Sequence, residues 1–226
     1  MAEHHYEEEQ IEAIKRWWQE NRAFVAAGLI IGVGIVGGWR GWQWYMTHQA
    51  EAASTLYGEL KVAVTAHDGA KSATLAQKLM DQYAMTPYAA NAALLEAKSE
   101  VEAGKFAEAG VLLEWAVEHG KDVELKSVAQ LRLARVRLAA GDAAAALKTL
   151  DGVSGAYEAL AQDARGDAHA ALGHPEDARK AWQAALAASD KNLADRQLIE
   201  LKLDALGPAP VTPSAAAPTA APGSKP

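Results

Sequence analysis

Between Ala23 and Trp39 the chain carries no charged residue, while everywhere after Met46 apolar positions recur every three or four residues among polar ones. Taken through Trp42, Trp44 and Tyr45 the apolar run spans about 33 Å as a helix, enough for one crossing of a bilayer core about 30 Å thick. The pattern predicts a transmembrane helix over residues 23–45. Past it, alternating β-branched runs are missing and prolines are scarce until the last twenty residues. Helix, short turn, helix is the reading, and the fold class is all-α.

The turns keep time. Gly104, Gly141 and Gly173 are 37 and 32 residues apart, close to the ~34-residue period of tetratricopeptide repeats. Around each glycine the same columns return: Ala97, Ala134 and Gly166 before it, then Ala109, Ala146 and Ala178, then Leu113, Leu150 and Trp182, then Ala116, Val153 and Ala185. Two antiparallel helices approach closely only where both carry small side chains, and one large residue then fills the space toward the next pair. The expected architecture is a repeat-built α-solenoid over residues 46–206.

A degenerate first unit precedes these, with Glu51–Ala66 and Lys71–Tyr83 as its helices around Gly69, and Pro87 breaks the chain before the next helix. A closing helix, Leu193–Leu206, carries Leu198, Leu201, Leu203 and Leu206. Solenoid ends need such a cover. Residues 207–226, GPAPVTPSAAAPTAAPGSKP, read as a disordered Pro/Ala-rich tail.

Charge gives the span a direction. Lys15, Arg16 and Arg22 precede it and Arg40 alone follows before Lys61; cations near a span stay cytoplasmic, and acids such as Glu7, Glu8, Glu9 and Glu12 count little. Residues 1–22 are therefore expected inside and the C-terminal domain outside. Trp17 and Trp18 at one end, and Trp39, Trp42, Trp44 and Tyr45 at the other, provide both aromatic belts. Arg40 can snorkel to the interface. Ala50-Glu51-Ala52 resembles a signal-peptidase site, but the long acidic leader and the aromatics before it favour a retained anchor. Gly28, Gly32, Gly34 and Gly38 have the spacing that lets a second transmembrane helix pack closely. Ile11, Ile14 and Trp18 share a face near the cations, which predicts an interfacial helix within residues 1–22.

Of the net charge of −7, about −6 remains on the repeat region once the three excess acids of residues 1–22 and the cations Arg40 and Lys225 are set aside. With no basic stripe there, nucleic acid is not an expected partner. There are no cysteines, hence no disulfide framework or thiol chemistry. Of the histidines, His119 lacks a ligand-like neighbour, and His169 and His174 are five apart across a helix end, unlike a helical metal pair. Glu124, Asp163, Asp167 and Asp177 read as solvated helix faces. No phosphate loop or nucleophile elbow is found. The expectation is a non-enzymatic protein with no catalytic residues, cofactor or metal.

Solenoids present a concave surface for peptides or helices, and an anchor raises its local concentration beside membrane partners. Polar residues at repeat-equivalent or adjacent positions mark the expected contact face: Glu96, Glu100, Gln130, Arg137, Gln162 and His169. A membrane-anchored helical-repeat interaction protein follows; an envelope assembly or division scaffold is one form it can take.

Five blocks carry a family resemblance: EQIEAIKRWWQEN (Glu9–Asn21), GWR (Gly38–Arg40), LRLARVRL (Leu131–Leu138), ALKTLDG (Ala146–Gly152) and DARGDAHAALGHPEDARKAW (Asp163–Trp182). Over residues 8–206 the chain resembles the YfgM family. That resemblance implies a single-pass inner-membrane protein with a periplasmic tetratricopeptide-like domain, acting as an ancillary subunit of the SecYEG translocon. It also implies partnership with the periplasmic chaperone PpiD and contact of the N-terminal segment with a cytoplasmic response regulator. The tail lies outside the resemblance.

Overall fold

A computed structural model describes the backbone of residues 2–188 and 196–207, and side chains from Glu12 onward except that of Ala13. The expectations placed on Glu7 to Glu9 and Ile11 as side chains, on the start of the last helix at Leu193, and on the tail beyond Gly207 fall outside the described residues. All regular structure among the described residues is helical. The chain divides into two units, Met1–Leu56 and Tyr57–Pro226.

The first unit lies within α1, a helix running from Ala2 to Thr65. It contains a segment long and apolar enough to cross a membrane, none of it buried. Phe24, Leu29, Ile30, Val33, Ile35 and Trp39 are all exposed, the surface a bilayer rather than water would accept. Within residues 1–22, expected to hold a separate interfacial helix, the described residues 2–22 supply the first turns of this same helix. The first proline in the chain is Pro87, so nothing in the preceding sequence forces a break.

The second unit takes up the end of α1 and continues with α2 (Gly69–Gln82), α3 (Pro87–Glu102), α4 (Phe106–His119), α5 (Val123–Ala139), α6 (Ala143–Thr149), α7 (Glu158–Ala171), α8 (Pro175–Ala188) and α9 (Arg196–Ala205). The turn before α2 differs from expectation. His67 takes the left-handed conformation, with φ 55°, and Asp68 caps α2 by accepting from the Lys71 N–H at 3.1 Å. Gly69 is already helical, because the side-chain cap ahead of it satisfies one of the free N–H groups of the first turn, that of Lys71.

The pairs α3/α4, α5/α6 and α7/α8 share one joint. Gly104, Gly141 and Gly173 have φ of +74°, +86° and +75°, and the next residue's N–H reaches back to the carbonyls of Glu100, Arg137 and His169 at 2.8, 2.8 and 2.9 Å. This is the Schellman closure, which needs a residue tolerant of left-handed backbone. Gly141→Ala is therefore expected to cost about 1 kcal/mol, read as a fall of about 2–4 °C in Tm. Gly110→Ala, on a helical glycine with open space around it, should leave Tm level or raise it.

Each of the column residues from Ala97 to Ala185 is buried. One helix is shorter than its counterparts: α6 has 7 residues where α4 and α8 have 14. Gly152 and Gly155, both at positive φ, turn the chain into a single 3-10 turn at Gly155–Tyr157. Leu150 and Val153 still pack against Leu131, Ala134, Ala146, Ala161 and Ala164, although Val153 lies past the helix. At the far end α9 covers α8, with Ile199 fully buried beside Ala178, Trp182 and Ala185 and with Leu203 and Leu206 at its side. Leu198 and Leu201 are 48% and 60% exposed. The packed face is the one through 199, 203 and 206, at steps of four and three, and those two leucines fall outside it.

Candidate interaction surfaces

On the anchor, a side chain added at Gly28, Gly32, Gly34 or Gly38 would meet nothing. Trp17 and Trp18 are 56% and 53% exposed, and Trp39, Trp42 and Trp44 are also open. This helix thus offers a smooth apolar face between aromatic ends, the form a lipid or a second span would contact.

In the repeat domain the expected contact residues separate into different roles. Glu96 is buried and accepts from the Ser72 hydroxyl at 3.1 Å; burial holds its carboxyl above the ordinary range, with Ser72 opposing and Glu100 adding to the rise. It ties α3 to α2 and presents little surface. Glu100 is only 15% exposed and pairs with Lys105 at 3.0 Å, across the Gly104 turn. Gln162 donates to Glu158 at 2.8 Å. His169 stands with its ring centre 6.3 Å from that of His174.

Gln130 and Arg137 come together. They line an open groove of about 700 Å³ with Glu114, Glu118, Leu133, Asp142, Lys148 and Thr149. Arg137 on α5 donates to Glu114 on α4, and to Thr149 and the Ala145 carbonyl on α6. An arginine fork suits such triple use because its donors are fixed in one plane. The groove is open and its lining is mixed in charge. Sequence reasoning found Gln130 and Arg137 through their place on the first helices. It missed Glu114, which Arg137 reaches, and Lys148 on the groove wall, both from the second helices.

Two carboxylates read as solvated helix-face residues are instead engaged in a network, and one of them is buried. Asp163, 7% exposed, and Asp167 both hold Lys202 of α9, at 2.8 and 2.6 Å. The Trp182 indole N–H donates to Asp167 at 3.2 Å. Burial raises the Asp167 pKa, against the pull of Lys202. Burial lowers that of the Lys202 ammonium, but its two carboxylates outweigh this and hold it above the ordinary value. The network ties α7 to α9 through groups 39 residues apart, a separation no local pattern reveals.

Comparison with known proteins places this architecture. A family model described as a tetratricopeptide repeat-like domain matches residues 15–208. The ancillary SecYEG translocon subunit of Escherichia coli (strain K12) is 36% identical over 201 residues, covering 88% of this chain and 96% of that protein. Its namesake in Haemophilus influenzae is 32% identical over 201 residues, 88% of this chain and 97% of that protein. The one in Neisseria gonorrhoeae is 28% identical over 211 residues, 91% and 100% respectively.

Proposed function

The chain belongs to the tetratricopeptide repeat-like family that includes the ancillary SecYEG translocon subunits, and from this premise we propose that it serves as such a subunit, a membrane-anchored, non-enzymatic adaptor. The similarity to the Escherichia coli protein through nearly the whole of both chains carries the reading, because it includes the span as well as the repeats. The anchor crosses the inner membrane once with its Lys15, Arg16 and Arg22 flank in the cytoplasm, as the cation bias favours. Residues 46–206 then stand in the periplasm. There the groove around Gln130, Arg137, Glu114 and Lys148 receives a helix or peptide of a PpiD-like chaperone, close to where secreted chains emerge. The N-terminal segment is left to meet a cytoplasmic response regulator. Anchoring beside the channel makes a weak groove sufficient, since the local concentration of both partners is high.

Purification of the tagged full chain in mild detergent checks the first part. Channel subunits are expected to co-elute; their absence, with division or export proteins in their place, would turn the assignment to an envelope scaffold. Photocrosslinkers at Gln130 and Lys148 check the second. Adducts with a periplasmic chaperone are expected there and none at Lys78 on α2, an exposed position outside the groove; equal labelling at all three would discard it as the docking site.

A further inference from the structure

His169, His174 and Asp177 meet at the joint between α7 and α8. One ligand-type atom from each lies within 4.8 Å of those from the other two. In sequence the histidines are five apart, too far for one face of a single helix. The Gly173 turn changes this: α7 stops at Ala171, the chain reverses through a left-handed glycine, and the His174 N–H bonds the His169 carbonyl at 2.9 Å. The backbone that closes the repeat thereby sets the two rings side by side. Asp177 joins them from the first turn of α8.

Another feature is independent of that convergence. His169 Nδ1 is enclosed and makes no hydrogen bond, an arrangement that costs free energy unless some partner completes it. His174 and Asp177 are exposed, so solutes reach the cluster from solvent. Lys180 pairs with Asp177 at 3.1 Å. The Lys180 side chain is 75% exposed and can swing away.

We propose that His169, His174 and Asp177 form a binding site for a first-row divalent metal ion, Zn2+ foremost. Two neutral imidazoles and one carboxylate are the donors Zn2+ prefers, and three protein ligands leave a coordination position for water or for a group from a partner. Bound there, the ion clips α7 to α8 and adds to the stability of the last repeat in proportion to its occupancy. This site is independent of the translocon reading and stands or falls separately from it.

Titration of the metal-stripped full chain in detergent with ZnCl2, followed by calorimetry, tests the site. His174→Ala and Asp177→Asn are surface changes and should fold as the parent does. Each is expected to weaken one Zn2+ binding event by about tenfold or more, while His119→Ala leaves it unchanged. Added Zn2+ should raise the Tm of the parent and not of His174→Ala, and Co2+ in place of Zn2+ should give a visible absorption band that the same variant loses. Unchanged Zn2+ affinity and stoichiometry in His174→Ala, or no Zn2+ binding by the parent, overturns the proposal.

Discussion

Gly166→Leu is expected to destabilise the end of the repeat domain by overfilling the contact between α7 and α8. A methyl carbon at Gly166 would stand 2.3 Å from both Cδ1 and Nε1 of Trp182, well inside contact distance. The indole has little room to retreat, being 4% exposed, packed with Ala178, Ala185 and Ile199, and bonded to Asp167. Overfilling such a core costs about 3 kcal/mol at the upper end of its usual range and sometimes more, or about 10 °C in Tm for a domain of this size. The reciprocal change, Trp182→Ala, leaves a cavity instead and is expected to cost about 3–5 kcal/mol. The two faults should compensate. In a double-mutant cycle, Gly166→Ala with Trp182→Phe should lose less than the sum of the single changes, as contacting residues do. Circular dichroism melts of the four proteins decide it. Simple additivity would mean that the glycine serves the backbone and not the ring.

That pair also marks how far sequence can be read. The column Ala97, Ala134, Gly166 was legible because helix crossings demand small residues, and the larger Trp182 opposite the smallest member follows the same steric rule. Gly104, Gly141 and Gly173 were legible because left-handed backbone favours one residue type. The span was legible because a bilayer imposes length and composition together. What escaped has a common cause: side chains that bridge between helices distant in sequence. Arg137 looked like one more polar residue on a first helix until α4 and α6 were placed on either side of it. Asp163 and Asp167 looked solvated until α9 brought Lys202 over them. His169 and His174 looked misspaced because helical periodicity was applied across a joint where the helix has ended. The shortness of α6 was readable in Gly152 and Gly155, but the apolar columns at Leu150 and Val153 continued through it and concealed the break.

Lys202→Ala is expected to cost about 3 kcal/mol near pH 7.5, the lower end of the penalty for removing one partner of a buried pair. The ammonium is 21% exposed and answers two carboxylates, one of them 7% exposed. Without it, Asp163 and Asp167 face each other with no countercharge. The loss should depend on pH in a definite direction. Burial already sets the Asp167 pKa above the ordinary range in the native protein, in spite of Lys202; removing the lysine lifts it further from an unfolded value of about 3.9. A raised folded pKa means that the native state binds its proton more tightly than the unfolded chain does. The penalty therefore vanishes below the unfolded value and grows as pH rises through the folded one. Melts at pH 4.5 and pH 7.5 should show a smaller gap between variant and parent at the acid end. The parent itself should lose stability in strong alkali, as Lys202, whose folded pKa is raised, gives up its proton. Asp163→Asn with Lys202→Met should recover part of the loss, since it removes one of the two carboxylates together with the ammonium. A gap that is equal at both pH values would reduce Lys202 to an apolar stem covering Trp182, whose ring centre lies 5.8 Å from its ammonium. A gap that closes in acid means that the last helix of the solenoid is held by charge as well as by Ile199, and that the cap over the final repeat loosens when that charge is removed.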